Sequence, residues 1–283
     1  TSRSELAATS LDGRLYVGGG LGLTGASKAF EVYDVEGGTW QTVADLPESL
    51  HHFGLAALDE GLLVSGGYAG NTLSDATAST WIYDPAADSW SAGTPMPAAR
   101  AAHAAVSLDG LVYVVGGEGD RATELWVYDP AADSWQTAPG TLPTAREHLG
   151  AAALDGKLYV VGGRRPRVGN LATLEIYDPA TGAWERGPDM PTARGGITAA
   201  ALDGRLHVAG GEDFNRSPSC TFDQHEVFDP ATDRWDSYPD LPTPRHGLSG
   251  AVSAGRWYVI GGGTKAAALT VVSTSDAVEV YQP

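Results

Sequence analysis

The sequence is poor in cysteine, in basic residues and in long apolar segments. Its 283 residues include a single cysteine, Cys220, and 18 Lys or Arg against 35 Asp or Glu, a formal net charge of −17. Binding to nucleic acid needs a basic surface that displaces counterions, so we expect no nucleic-acid partner. No run of 18 apolar residues occurs, so we expect no membrane span. One thiol cannot close an internal disulfide, which leaves the cytoplasm and an exported location both open.

Glycine, proline and tryptophan are abundant, with 37, 17 and 8 copies, a mixture typical of short strands joined by tight turns. Few lysines beside many arginines and alanines favour a bacterial source. Six apolar runs each end in a Gly-Gly pair, and the second glycines of successive pairs are 46 to 51 positions apart. The pairs are Gly19-Gly20, Gly66-Gly67, Gly116-Gly117, Gly162-Gly163, Gly210-Gly211 and Gly261-Gly262. This period indicates a repeat architecture.

One repeat shows how each unit folds. Residues 149–154 form an apolar strand, and Asp155-Gly156 is a signal for a two-residue hairpin turn. Residues 157–163 and 174–177 are predicted as the second and third strands, and a fourth strand surrounds Trp184. Four antiparallel strands in one repeat predict a propeller blade, and six blades close into a disc.

Most repeats also contain an aromatic-Asp-Pro-like step followed by a tryptophan. The steps are Tyr33-Asp34-Val35, Tyr83-Asp84-Pro85, Tyr128-Asp129-Pro130, Tyr177-Asp178-Pro179, Phe228-Asp229-Pro230 and Tyr281-Gln282-Pro283, and the tryptophans are Trp40, Trp90, Trp135, Trp184 and Trp235. Together with the Gly-Gly pairs, these residues resemble the kelch repeat over essentially the whole chain. The resemblance implies an all-β, six-bladed kelch propeller, one domain over 1–283 with blades near 1–47, 48–97, 98–143, 144–191, 192–242 and 243–283. Kelch propellers include substrate adaptors, actin binders and enzymes, so it leaves the function open.

The two ends of the sequence predict an incomplete last blade. Thr1-Ser2-Arg3 aligns with Thr192-Ala193-Arg194, and the chain stops at Pro283 before a sixth tryptophan strand. We therefore expect blade 6 to lack its fourth strand, with that strand encoded upstream of Thr1 in the natural gene. The alternative is a three-stranded blade with an exposed edge, which would favour dimers. We expect a monomer.

The two faces of the predicted disc differ. The turns between first and second strands are short and uniform, whereas the loops after the Gly-Gly pairs vary and share the other face with the Pro-x-x-Arg crossovers. Varied loops are where a binding site is usually built. Arginines predicted on this varied face are Arg3, Arg100, Arg146, Arg194 and Arg245, which share one register, and Arg121, Arg164, Arg165, Arg167 and Arg216 in the loops. The candidate ligand contacts among them are Arg100, Arg146, Arg164 and Arg245; the alternative for the register arginines is that they tie blades together.

Histidines and acids gather near the same register. In kelch proteins with ligands at this face, contacts come from residues just after the register arginine and just after the Gly-Gly pair. By position, the resemblance implies as candidates Glu5, His51, His52, His148, His246, Tyr68, Glu118, Glu212 and Asp213. His103 is expected to pack between blades.

Three functions stay open. The leading hypothesis is a module that binds a small or extended anionic ligand, such as a sugar acid or another carboxylate. The first alternative is an isomerase, lyase or hydrolase, and its acid–base candidates are His148, His52, Glu147 and Glu5. No cofactor is predicted, although a divalent metal would serve the same alternative, held by His51, His52, His148 and His246. The second alternative is a protein-interaction platform, with Tyr68 and Phe214 as its aromatic candidates. Two long loops, 212–224 and 263–277, are long enough to cover the varied face or to pack on each other.

Overall fold

The computed structural model describes residues 1–213 and 220–283, and it confirms the six-bladed propeller. The loop residues Phe214 and Arg216 lie outside the described residues. Each blade is an antiparallel sheet whose strands follow chain order from the axis outward. The first strands are Ala7–Leu11, Gly54–Ala57, Ala104–Leu108, Gly150–Leu154, Thr198–Leu202 and Ser249–Ser253. Each of them contacts the first strands of both neighbouring blades, so together they surround the axis.

The remaining blade strands complete the meander. The second strands are Arg14–Gly18, Leu62–Ser65, Leu111–Val115, Lys157–Val161, Arg205–Ala209 and Arg256–Ile260. The third strands are Phe30–Asp34, Thr80–Asp84, Glu124–Asp129, Leu174–Asp178, His225–Asp229 and Val278–Tyr281. The outer strands are Thr39–Thr42, Ser89–Ala92, Ser134–Thr141, Ala183–Arg186 and Arg234–Tyr238. Within the described residues blade 6 has three strands, as predicted.

The loops after the Gly-Gly pairs carry short elements of their own. Two-residue strands pair as Leu21–Gly22 with Gly25–Ala26, Leu50–His51 with Tyr68–Ala69, Arg164–Arg165 with Gly169–Asn170, and Glu212–Asp213 with Cys220–Thr221. The loop of blade 6 contains a 3-10 helix over Ala267–Val272. We call the loops after the Gly-Gly pairs the mouth loops, and the face that they form the mouth face.

The core lies between blades rather than inside them. In one cluster, Tyr16 and Phe30 of blade 1 pack against Leu62 and Tyr83 of blade 2. Alternate side chains of a strand face opposite neighbours, so each blade buries both faces against adjacent blades. Stability therefore depends on closing the circle of blades.

The recurrent Tyr and Trp residues, with an aspartate five positions after the Tyr in blades 2 and 3 (Asp88 and Asp133), connect neighbouring blades. The indole Nε1 of Trp90 donates to the carbonyl of Ala44 in the preceding blade at 2.9 Å. Asp88 accepts from the Tyr83 hydroxyl and from the Ala44 amide, both at 2.7 Å. Trp135 and Trp235 make the same bond to the blade before them. These bonds explain why the residues recur with the repeat.

The first glycine of each Gly-Gly pair lies against the next blade. Gly116 has φ +67°, and a Cβ there would lie 2.9 Å from the carbonyl oxygen of Arg146 and 2.8 Å from Leu149. Gly110, in a hairpin turn of the same blade, has φ +77°, but a Cβ there would meet no atom within 4 Å. Both glycines have left-handed φ angles, but only Gly116 lacks room for a Cβ.

Gly116→Ala should therefore destabilise the protein more than Gly110→Ala. Both changes place a side chain in the left-handed region, at a cost of about 1 kcal/mol. Only Gly116→Ala also forces two blades apart, which adds about 1–3 kcal/mol. Urea unfolding of the two variants measures the difference, and equal free energies of unfolding would contradict this account of the Gly-Gly pair.

Two buried histidines face each other at the interface of blades 5 and 6. Nδ1 of His207 lies 3.0 Å from Nε2 of His225, and the rings of Tyr238, Trp257 and Tyr281 surround them. Burial lowers the pKa of each imidazole to about 4. Both rings are therefore neutral in the folded protein at neutral pH.

This pair should make stability depend on pH. The unfolded chain binds protons at these histidines below about pH 6.5, while the folded protein resists protonation down to about pH 4, so the free energy of unfolding should fall through that window. Blade 1 carries Tyr16 and Phe30 at the equivalent positions. Grafting them, as His207→Tyr with His225→Phe, should reduce the loss between pH 7 and pH 4 by an amount on the order of 5 kcal/mol, since two histidines each contribute. Urea titrations at several pH values test this, and parallel pH profiles would contradict it.

Candidate functional site

Six equivalent residues, one from each blade, form a closed hydrogen-bonded ring around the axis. They stand two positions after the register arginine, or after Leu50 in blade 2, and all have φ between 52° and 68°. The amide of each donates to the carbonyl of its neighbour, at 2.6–3.1 Å, until the circle closes. We call them the axial ring: Glu5, His52, Ala102, His148, Gly196 and Gly247.

Three side chains of the axial ring meet on the axis. The donor atoms of Glu5, His52 and His148 all lie within 4.8 Å of one another. Nε2 of His52 lies 3.3 Å from Oε2 of Glu5, and the rings of His52 and His148 are 4.8 Å apart. The structure thus brings together three sequence-predicted residues from blades 1, 2 and 4.

A second circle of residues surrounds the axial ring. In each blade, the residue before the ring position bridges, antiparallel, to the residue after the Gly-Gly pair. The pairs are Ser4–Leu21, His51–Tyr68, Ala101–Glu118, Glu147–Arg164, Gly195–Glu212 and His246–Gly263. This pairing is why the two sets of candidates expected from the resemblance lie side by side.

Ion pairs connect the second circle across blades 4, 5 and 6. Arg164 donates from Nε to Glu147 at 2.7 Å and from Nη1 to Glu212 at 2.5 Å. Nδ1 of His246 lies 3.3 Å from the other oxygen of Glu212. Glu147, Glu212 and His246 are buried, whereas Arg164 is partly exposed. The Tyr68 hydroxyl donates to Glu118 on the opposite side of the axis.

Burial keeps the axial imidazoles neutral. It lowers the pKa of His51 to about 4 and that of His52 to about 3, and it holds the pKa of His148 well below its usual value. The positive charge of Arg164 is the next largest cause for His52 and His148. Neutral imidazoles can donate a lone pair or accept a proton.

The register arginines lie inside the blades, not at the mouth face. Arg146, proposed as a ligand contact, is buried and donates to the carbonyls of Gly162 and Thr173 and to Glu175. The guanidinium groups of Arg100 and Arg245, also proposed as contacts, are likewise buried and donate to backbone carbonyls. These arginines satisfy polar groups at the Gly-Gly turns, so they supply no basic surface at the mouth face. Of the four candidate arginines, Arg164 alone stands beside the axial ring.

A cavity of about 170 Å³ extends along the axis beneath the ring. Glu5, His52 and His148 line its upper end. Below them its wall is mostly small side chains and backbone of the first strands, including Ala8, Gly54, Ala105, Ala151, Ala199 and Gly250. The axial side chains therefore border space that could hold solvent or a small ligand.

The loop of blade 6 contacts the second circle at blades 5 and 6. The amide of Ala267, at the start of the 3-10 helix, donates to Glu212 at 2.7 Å. Nε2 of His246 lies 3.0 Å from the carbonyl oxygen of Lys265. Thr221 of the blade 5 loop also donates to the carbonyl of Thr264 at 3.3 Å. This loop thus covers part of the second circle and packs on the neighbouring loop of blade 5.

Sequence reasoning missed the apolar surface of the mouth face. Tyr68, named as an exposed aromatic candidate, is buried. Exposed instead are Leu23, Leu73, Val168, Leu269 and Val272, all on mouth loops. Their sequence signal is weak, since single apolar residues in loops follow no period. In the part of the chain that the structure describes, no helix is long and apolar enough to cross a membrane.

Comparison with known proteins points to kelch repeats along most of the chain. The family model of the kelch motif matches residues 2–47 and 49–97, and that of the KLHDC2/KLHL20/DRC7 Kelch-repeats domain matches residues 102–279. Kelch-like protein terF of Aspergillus terreus is 30% identical over 99% of this chain and 64% of its own length. Kelch-like protein 21 of Mus musculus is 34% identical over 89% of the chain and 39% of its own length. The chain thus spans less than two thirds of these relatives.

A solved structure shares the fold. The protein described as "Structure of YjhT" superposes with a TM-score of 0.85 over 100% of this chain and 95% of that one, at 16% sequence identity. At this identity the likeness supports the propeller architecture and nothing finer.

Removing a register arginine should unfold the propeller rather than weaken a ligand contact. Arg146→Gln leaves the carboxylate of Glu175 buried without a cationic partner, with only the Thr144 hydroxyl as a donor, and should cost about 3–5 kcal/mol of stability. Arg186→Gln, on the same blade, breaks an exposed pair with Asp189 and should cost less than about 1 kcal/mol. Urea unfolding compares the two. A loss below 1 kcal/mol for Arg146→Gln would return this guanidinium to the candidate ligand contacts.

Proposed function

This chain belongs to the kelch-repeat family, and on that basis we propose that it is a binding module whose mouth loops hold an acidic, amphipathic segment of a partner protein. Such a segment is one form of the extended anionic ligand expected from the sequence. The observation that carries the proposal is the concentration of exposed apolar side chains on the mouth face, together with two exposed arginines on its blade 4 loop.

Exposed apolar side chains concentrate on one face of the disc. Among the described residues, seven large apolar side chains are exposed, and five of them lie on mouth loops. These five are 54–81% exposed. The other two, Trp40 and Val280, lie on an outer strand and on the edge strand of blade 6. Exposed apolar groups gathered on one face mark an interaction surface.

The mouth loops of blades 6, 1 and 2 form a continuous collar that can support one ligand. The amide of Ala26 in blade 1 donates to the side chain of Asn71 in blade 2 at 2.7 Å. The two-residue strand Leu21–Gly22 contacts the 3-10 helix of blade 6. Leu23, Leu73 and Leu269 therefore stand on three loops that touch in sequence around the rim. An extended ligand could span them without crossing a gap.

Basic side chains lie on the mouth loop of blade 4. Arg165 and Arg167 are exposed on either side of Pro166, and the exposed Val168 follows directly. The strong negative charge of the whole protein is screened beyond about 8 Å at physiological ionic strength. A carboxylate at this loop would therefore sense the two arginines more than the distant acids. A ligand with both carboxylates and apolar side chains matches this surface.

The loop of blade 6 over the second circle also favours a ligand that stays on the mouth loops. Ala267 and the loop around it cover the buried network of Glu212 and His246. A small anion that approaches this network through the blade 6 loop would have to displace these contacts. A polypeptide laid over the collar needs no such displacement.

The experiment is a display selection from a peptide library restricted to Asp, Glu, Leu, Val and Gly. We expect peptides that bind with micromolar affinity and carry acidic and apolar residues together. Reversing the charge of Arg165 and Arg167 to Glu should weaken the selected peptides about tenfold or more. Leu23→Ser with Leu269→Ser should weaken them about tenfold by removing apolar contacts.

The matched control reverses the same charge on the opposite face. Arg14 and Arg256 are exposed at the uniform turns, and their change to Glu alters the net charge identically. Binding should be unchanged in this variant. Equal weakening in both charge-reversal variants would reduce the effect to net charge and overturn the proposal. Binding of sugar acids or phosphate, with loss in the Arg165/Arg167 variant and no selected peptide, would replace the polypeptide with a small anion.

A further inference from the structure

We propose that Glu5, His52 and His148 bind a divalent first-row transition metal ion on the propeller axis. This site is separate from the mouth loops, and it goes beyond the peptide-binding function proposed for them. Two imidazoles and one carboxylate form a donor set found in zinc and non-haem iron centres.

The three donors have a geometry that a metal ion can close. Their ligand atoms lie within 4.8 Å of one another, and all three side chains are at most 9% exposed. Metal bonds of about 2.1 Å hold neighbouring donors about 3 to 3.4 Å apart. Side-chain rotations that move each donor inward by about 1 Å complete the site. Among the described residues, this is the one group of three or more metal-binding side chains so closely spaced.

The backbone presents these donors in an unusual conformation. Glu5, His52 and His148 adopt left-handed φ angles, which cost L residues about 1 kcal/mol or more. Gly196 and Gly247 occupy the same ring position without that cost. Strained residues in a closed framework gather at functional sites. Here the strain points three polar side chains at a single place on the axis.

Partners of the two imidazoles orient them toward the axis. Nδ1 of His148 pairs with the carboxylate of Glu147, and Nδ1 of His52 lies 2.5 Å from Nδ1 of His51. Each pairing leaves Nε2 for a metal ion. A carboxylate on the far nitrogen of a metal-binding histidine is a recurrent second-sphere arrangement that fixes the ring and raises its basicity.

His51 and His246, also expected as metal ligands, act differently in this structure. Nδ1 of His51 is directed at its neighbour His52, so His51 positions a ligand rather than being one. Nε2 of His246 lies 3.0 Å from the carbonyl oxygen of Lys265, and its Nδ1 faces Glu212. The metal set therefore changes from four histidines to two histidines and Glu5.

The charge around the axis is suited to a cation. The buried carboxylates of Glu147 and Glu212 share the guanidinium of Arg164, whereas the buried carboxylate of Glu5 lies beside the imidazoles of His52 and His246. Buried carboxylates that exceed their cationic partners are costly. A divalent ion at Glu5 would balance this surplus. The cavity beneath the ring leaves room for water or a small anion at its remaining coordination positions.

The test uses the whole chain, purified without metal resin and stripped with a chelator. Titration with Co²⁺ should show one ion per chain with visible d–d absorption, and Zn²⁺ should displace it. His148→Ala places on the ring the residue that Ala102 already provides there, and Glu5→Gln keeps the side-chain shape. Each should lower the Co²⁺ affinity by more than about 100-fold, and Glu147→Gln should lower it about 10- to 100-fold by releasing His148.

Two further measurements keep the outcome unambiguous. The His207→Tyr/His225→Phe variant removes two imidazoles far from the axis and should bind Co²⁺ like the original chain. Thermal unfolding should show that Co²⁺ raises the Tm of the original chain but not of His148→Ala, whose apo form must unfold cooperatively for the comparison to count. If His148→Ala does not fold, Glu5→Gln decides. No Co²⁺ binding, or binding equally strong in the Glu5→Gln variant, would overturn the proposal; neither result bears on the mouth loops.

Discussion

The closed ring of six backbone hydrogen bonds around the axis is the constraint on which the other features depend. Each bond joins one blade to the next, so no blade can shift without breaking two of them. The ring needs a left-handed residue in every blade, and each blade supplies one two positions past its crossover. Buried backbone bonds of this kind contribute about 1 kcal/mol each, but their larger effect is to fix six side-chain positions at a common centre. The interblade cores and the Trp and Asp contacts then hold the outer parts of the blades in place around that centre.

Residues that stabilise the fold and residues that could bind a ligand are adjacent in sequence, but their side chains lie in different places. Arg146 turns into its blade and satisfies carbonyls near the Gly-Gly turn, whereas Glu147 and His148, the next two residues, face the second circle and the axis. His148 has a φ of 54°, so this segment departs from the alternation of a regular strand, in which Arg146 and His148 would share one side. This three-residue segment thus contains a residue that stabilises the blade, a residue of the second circle and a residue of the axial ring. This is why polar residues near the register looked equally suited to binding and to structure.

The sequence predicted the repeat, the blade count, the strand order and the three-stranded sixth blade, because each of these rests on local signals such as Asp155-Gly156 or Trp184. It also placed Glu5, His52 and His148 near the varied loops, and in the structure they lie on the axial ring beside the second circle. Spacing could not show that these three meet, since they come from different blades and only the closed circle brings them together. The direction of Arg100 and Arg245 depends on which carbonyls the turns leave unsatisfied, which sequence alone does not reveal. The apolar rim was missed because Leu23 and Leu269 stand alone in loops without periodicity.

The common direction of the six hydrogen bonds in the axial ring has an electrostatic consequence. All six amides donate in the same rotational direction, so their peptide dipoles follow one another around a circle instead of along a line. In a helix, aligned dipoles sum to a field at each end; around a circle, the tangential components cancel. The backbone thus adds little net potential on the axis, and the charge there is set by whichever side chains occupy the ring. A carboxylate and two imidazoles occupy three ring positions, and only methyl or hydrogen occupies the other three. A single substitution in the ring can therefore reverse the sign of the charge on the axis while the six backbone hydrogen bonds stay intact.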